Sequence, residues 1–179
     1  MSRVGKKPIN IPKGVTVTHD PKKQSMKAKG PKGENEMTYH PLMEVTIDKE
    51  TIHVKRPDDL KVNKSLHGMT QRMIENLIIG VTSGFEKKLI INGIGFKADV
   101  KGTDLVLSLG FSHPVEMKMP KGVNAKAEKG MVTLTGIDKE VLGQFAADVR
   151  AKKPTEPYKG SGIRYENERV RKKAGKKAA

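Results

Sequence analysis

Short runs of alternating apolar and polar residues recur along the chain, at 15–19, 26–29, 43–48, 51–56, 89–100, 105–109, 115–119 and 131–135. Each is bounded by Gly, Pro, Asp or paired Lys, as the strands of hairpins are. Two stretches keep helical period instead. Leu66, Met69, Met73, Ile74, Leu77, Ile78 and Val81 fall on one face of the first, and Val141, Leu142, Phe145 and Val149 on one face of the second. Asn63 or Ser65 can cap the first helix, which is expected to end near Gly84. Asp138 can cap the second, with Lys152 and Lys153 at its carboxyl end and Pro154 as its stop.

Four strands and a helix, read twice, suggest an internal repeat. A shift of 80 positions lays Met26 on Val106, Gly30 on Gly110, Ile47 on Ala127, Ile52 on Val132 and Val54 on Leu134 without a gap. A second match sets Pro12-Lys13-Gly14-Val15 against Pro120-Lys121-Gly122-Val123 at a shift of 108. That shift lays a first strand on a third, so we read it as one turn used twice. The expected fold class is α+β: two similar domains from an internal duplication, each an antiparallel β-sheet packed against one α-helix, plus a basic C-terminal extension. The expected divisions are 1–82, 83–153 and 154–179. The last segment lacks both periods and is dense in Lys, Arg, Gly and Pro. It is expected to hold little core, to be ordered mainly by what it binds, and to be removable with both domains still folded.

Charge changes this picture more than composition does. The chain carries 35 Lys and Arg against 20 Asp and Glu. Residues 1–30 hold eight basic and one acidic residue, residues 150–179 eleven and three, and residues 31–149 sixteen of each. Basic ends on a neutral body form an electrostatic footprint for a polyanion, although solvated tails have the same composition. The absence of cysteine excludes disulfides, thiolate metal sites and thiol nucleophiles, and suits a reducing cytoplasm. The amino terminus has no apolar run behind its charges, so neither a signal peptide nor a membrane anchor is expected, and no run approaches the roughly 18 apolar residues of a membrane span.

No catalytic constellation stands out. Gly93-Ile94-Gly95-Phe96-Lys97-Ala98 fits a relaxed dinucleotide-binding pattern, but that chemistry needs a helix amino terminus at the pyrophosphate, and a second strand is expected there. A bend or bulge in one long strand is the expected role of these glycines. Histidines 19, 40, 53, 67 and 113 have no metal-ligand spacing; His67 and His113 read as hydrogen-bonded residues at a helix start and in a turn. Ser161 lacks the strand-elbow-helix setting of a hydrolase nucleophile. No cofactor and no metal are expected. In the run from Lys152 to Lys177, basic side chains can neutralise phosphates and glycines let a backbone approach a sugar-phosphate strand. Tyr158 and Tyr165 can stack on bases or simply pin the segment to its domain.

Within that run, Glu156-Pro157-Tyr158-Lys159-Gly160-Ser161-Gly162-Ile163-Arg164-Tyr165 resembles the signature E-P-Y-K-G-K-G-[IV]-R-Y of the bacterial L-six family of large-subunit ribosomal proteins. The start Met1-Ser2-Arg3-Val4-Gly5-Lys6, the loop 109–115 and the helix start 139–144 are similar to the same family, so the match spans nearly the whole chain. It departs at Ser161, where Lys is usual, and at Lys152-Lys153, where Arg is common. The resemblance implies two duplicated domains and a non-enzymatic, cytoplasmic constituent of the large ribosomal subunit. It implies binding to 23S rRNA near the sarcin-ricin loop and the stalk base, beside neighbouring large-subunit proteins and translation factors. No membrane and no obligate self-association are expected. The candidate RNA-binding residues are Lys152, Lys153, Tyr158, Lys159, Gly160, Gly162, Arg164, Tyr165, Arg169, Arg171, Lys172, Lys173, Lys176 and Lys177, with Ser2, Arg3, Lys6, Lys7 and His113. The alternatives are an RNA-processing enzyme, which needs a nucleophile or paired carboxylates, and a DNA-compacting or membrane-surface protein, which needs duplex-reading geometry or a cationic helix face.

Overall fold

The computed structural model describes residues 4–48 and 50–175. It divides into two compact units between Phe85 and Glu86. The first contains β1 (Ile9–Asn10), β2 (Thr16–Asp20), β3 (Ser25–Gly30), β4 (Gly33–Thr38), β5 (Glu44–Ile47), β6 (Thr51–Lys55) and α1 (Lys61–Thr82). These strands form two three-stranded sheets, ordered β2-β3-β4 and β1-β6-β5. Alternation turns Met26 and Ala28 of β3, and Ile52 and Val54 of β6, into a core closed by Ile74, Leu77, Ile78 and Val81 of α1. Gly30 lets the hairpin end seat on the helix: a Cβ there would lie 2.6 Å from the Val81 carbonyl oxygen, which accepts from Lys32 N at 3.0 Å.

The second unit repeats this plan with β7 (Phe85–Asn92), β8 (Lys97–Lys101), β9 (Asp104–Ser108), β10 (Val115–Lys118), β11 (Val123–Glu128), β12 (Met131–Gly136) and α2 (Lys139–Lys152), and adds β13 (Gly162–Tyr165). Its sheets are ordered β10-β9-β8 and β11-β12-β7-β13. The shift of 80 carries β2, β3, β4, β5 and β6 onto β8, β9, β10, β11 and β12, and β1 into β7. Among the described residues β13 has no counterpart in the first unit. The core consists of Leu105, Leu107, Leu109, Val132, Leu134, Leu89 and Ile163 with Leu142, Phe145, Ala146 and Val149 of α2. Asp138 caps α2 as expected, accepting from Glu140 N at 2.8 Å and Val141 N at 3.3 Å.

Several expectations are revised. Each unit has two sheets rather than one. The run 89–100 is two strands in different sheets, separated at Gly93–Phe96 by a turn in which Phe96 N donates to Gly93 O at 3.2 Å. The turn used twice is present: Val15 N donates to Pro12 O and Val123 N to Pro120 O, both at 3.2 Å, with Gly14 and Gly122 at φ of 88° and 83°.

The first half of α1 buries polar groups. Leu60 precedes the helix without a side-chain cap, and neither Asn63 nor Ser65 serves as one. Asn63 is buried and donates to Asp58 at 2.6 Å. His67 is buried with Nε2 donating to Val54 O and Nδ1 accepting from Arg56 Nη1, both at 2.9 Å; a guanidinium can only donate, which fixes this tautomer. Met69, expected to face the sheet, is 49% exposed. Phe145→Ala should therefore cost about 3–5 kcal/mol by opening a cavity under α2, whereas Met69→Ala should shift urea unfolding by less than about 0.5 kcal/mol.

Candidate nucleic-acid interface

The C-terminal segment is built onto the second unit's sheet. Ile163 pairs with Ile91 and Tyr165 with Leu89 in the antiparallel β13–β7 ladder, and Ile163 is completely buried. Ile163 N also donates to Lys153 O at 2.8 Å, and Glu166 N to Lys88 O at 3.1 Å. The independent segment expected from residue 154 onward is thus, through Tyr165, part of the second unit. An apolar residue flanked by Gly and Arg carried too little period to show this.

Between Pro154 and Ile163 the chain makes a closed loop. Glu156 N donates to Ser161 O at 2.8 Å and Gly160 N to Glu156 O at 3.1 Å. Ser161 Oγ donates to Glu156 Oε2 at 3.1 Å, so the serine that stands where the family signature has Lys closes the loop through its hydroxyl. Asn92 Nδ2 ties Gly160 O to the end of β7 at 3.1 Å. Tyr158 is 56% exposed, Lys159 is exposed beside it, and Gly160, at φ 72°, has no atom within 4 Å of a Cβ position. Lys173 N donates to Pro157 O at 3.0 Å, which returns Arg171, Lys172 and Lys173 to this loop.

Gly162 has a different role from the one expected. A Cβ at 162 would lie 2.6 Å from Pro154 O and 2.8 Å from Thr155 Cα, so the close approach is to its own chain and not to a ligand. Tyr165 is half-buried, with Arg150 5.9 Å and Lys87 5.8 Å from its ring centre, which is the pinning arrangement. Arg164 is half-buried and donates through Nη1 to Glu168 O at 3.3 Å.

Arg150 and Glu168 form a latch that sequence reasoning missed, because nothing in their spacing marks a partner 18 residues away. Arg150 Nε donates to Glu168 Oε2 at 2.8 Å, Nη2 binds Oε1, and Tyr165 N donates to Oε2 at 3.1 Å. The Arg150 hydrogen bonds hold the Glu168 carboxyl below the ordinary value of 4.5, against the opposing effect of burial. Phe111 was also missed as a surface feature. It is 45% exposed in the turn after Gly110, and the Lys153 ammonium stands 4.6 Å from its ring centre. His113 is exposed in the same turn, and Lys152 and Arg169 are exposed.

Lys159, Arg169, Arg171, Lys172 and Lys173 make no ion pair among the described residues. Lys6 and Lys7 are exposed in the first unit, next to Gly5, which is buried against the His67 ring. Ser2, Arg3, Lys176 and Lys177 lie outside the described residues. The second unit therefore displays a ring and a set of cations on a folded ribbon. Among the described residues no three His, Asp or Glu gather as a metal site, and no helix is long and apolar enough to cross a membrane.

The sequence model of the family described as ribosomal protein L6 matches residues 11–84 and 92–166, once for each unit. The chain is 48% identical over 177 residues to the large ribosomal subunit protein uL6 of Dictyoglomus turgidum, covering 98% of each chain. It is 47% identical over 181 residues to the protein of that name from Anaeromyxobacter sp. strain Fw109-5, covering 100% of this chain and 99% of the relative. It is also 47% identical over 177 residues to that from Crocosphaera subtropica, covering 98% of each.

Two outcomes follow from the ribbon's construction. Gly162→Val should destabilise the second unit by at least about 2 kcal/mol in denaturant unfolding, since the φ of 133° and the Pro154 contact both oppose a side chain. The depressed Glu168 carboxyl contributes stability that is fully present above pH 4.5 and lost as pH falls through its lower folded value. Glu168→Gln should therefore weaken the second unit at pH 7 and flatten that acid dependence, which unfolding measured from pH 7 to pH 2 will read.

Proposed function

The chain belongs to the ribosomal protein L6 family, and on that premise we propose that it grips 23S rRNA chiefly with the ribbon of its second unit, near the sarcin-ricin loop and the stalk base. It is a structural, non-enzymatic constituent of the large ribosomal subunit. The observation that carries the RNA-binding reading is the loop tip at Pro157–Lys159, where the exposed Tyr158 ring and Lys159, which makes no ion pair among the described residues, project from a ribbon laddered to the second unit's sheet, with Arg171, Lys172 and Lys173 returned beside them. Charge on that tip neutralises phosphates without reading sequence. Tyr158 is placed to stack on an unpaired base or a ribose, and Gly160 leaves room for the strand. The location beside the sarcin-ricin loop, with translation factors and other large-subunit proteins as neighbours, rests on the family resemblance.

The protein acts in this reading as a brace. Its helices and ladders hold the basic segments in place, and no step of chemistry is asked of it. The RNA-processing alternative gains no support from the carboxylate pairs that do line clefts, Glu34 with Glu36 and Asp99 with Glu128, since each pair lies in an open cleft shared with lysines, not in the secluded site that acid–base work needs.

Binding to a 23S rRNA fragment should weaken with salt at a log-log slope on the order of −4 to −7, for about six to eight neutralised phosphates. Lys159→Ala should make the slope shallower by about 0.7–0.9, and Tyr158→Ala should cost about 1–3 kcal/mol of affinity. Deleting residues 169–179 should flatten the slope while thermal unfolding stays cooperative, whereas deletion from Pro154 removes β13 and should unfold the second unit. A slope near zero for the full chain would contradict the proposed function.

A further inference from the structure

The charge excess of residues 1–30 is only partly located at the amino terminus, since Lys22 and Lys23 carry two of its eight basic side chains. They sit at the tip of the β2–β3 hairpin. Asp20 Oδ1 accepts from the backbone N–H of Lys22 at 3.0 Å and of Lys23 at 3.4 Å, so the one carboxylate in the turn is engaged by the backbone. Gln24 closes the turn at φ 48°, the sole non-glycine at positive φ among the described residues, and such strain persists where surrounding structure enforces it. The enforcement is visible: Tyr39 N donates to Gln24 O at 3.0 Å, and the buried Tyr39 hydroxyl bonds His19 Nε2. These bonds tie the lysine turn to the β4–β5 turn, residues 39–43.

That second turn carries His40. Its Nδ1 accepts from Leu42 N at 3.2 Å, which places the ring hydrogen of the neutral imidazole on Nε2 as a donor. Lys22, Lys23 and His40 are all exposed, and neither lysine has an ion-pair partner among the described residues. Glu44, the nearest acidic residue along the chain after His40, lies opposite Lys55 in the β5–β6 ladder. Two fixed turns thus present two ammonium groups and an imidazole N–H. That set can donate to the oxygens of a sugar-phosphate backbone, and turns fixed before binding lower the entropic cost of the contact.

We propose that the tied turns at 20–25 and 39–43 form a second RNA-backbone contact, in the first unit, in which Lys22, Lys23 and His40 Nε2 hold phosphates. This rests on the RNA-binding reading above and extends it to a surface outside the second unit. Binding of full-length Lys22→Ala/Lys23→Ala protein to intact 23S rRNA should fall about 5- to 20-fold at moderate salt, with a slope shallower by about 1.5. The Lys22→Arg/Lys23→Arg protein should bind as the parent does. An unchanged slope in the alanine pair, with Lys159→Ala still effective, would overturn this contact alone; if neither variant moves the slope, the RNA-binding reading itself fails. Because the chain has no cysteine, Lys23→Cys carrying an iron-EDTA tether offers a direct test in assembled large subunits. Cleavage of an RNA strand is expected, and no cleavage, as for a turn that meets an acidic protein or solvent, would overturn the proposal.

Discussion

The ladder between Gly162–Tyr165 and Leu89–Asn92 decides what the basic C-terminal segment can do. It buries Ile163, brings Gly162 against Pro154, and lets Lys153 O close the root of the loop. Without it, residues 154–175 would be a charged coil that loses its conformational entropy only on meeting RNA. With it, that cost is met in the free protein, and Tyr158 and Lys159 stand at a fixed place before any partner arrives.

The same ladder organises the charge. Tying the segment down engages several ions: Arg150 of α2 closes on Glu168, Arg164 bonds the Glu168 carbonyl, and Arg150 and Lys87 both stand within reach of the Tyr165 ring. What remains is sorted by position. The cations of the loop and of residues 169–173 make no ion pair among the described residues, while those at the ladder hold the platform. A similar division holds at the first unit's lysine turn, where Asp20 serves the backbone and leaves both ammonium groups outward.

Much of the fold was legible because burial imposes period. The shift of 80, both helices, the Asp138 cap and the twice-used proline-glycine turn follow from apolar spacing and from the φ that glycine alone adopts readily. What was not legible lacked that imprint. β4 reads Gly-Glu-Asn-Glu-Met-Thr with a single large apolar residue, and β11 alternates on alanines. The first half of α1 buries Asn63, His67, Thr70 and Gln71, so a hydrophobic stripe pointed to the wrong residue in Met69. Ser65 and Asn63 were eligible caps by type, but Asp58 claimed the asparagine. β13 escaped for two reasons: it has no partner in the repeat, and one buried isoleucine gives no period. In the candidate interface, residue types marked the segment, whereas the division between holding residues such as Gly162 and displayed residues such as Lys159 required the ladder itself.

The measurement closest to the central claim is amide hydrogen exchange in the RNA-free, full-length protein at Ile163 and Glu166, whose N–H groups bond Lys153 O and Lys88 O. A ribbon folded onto the second sheet predicts protection comparable to that of core strand residues such as Leu134, because those bonds open only when the sheet does. Exchange at the rate of an unstructured chain, with protection gained only when RNA is added, would contradict the account.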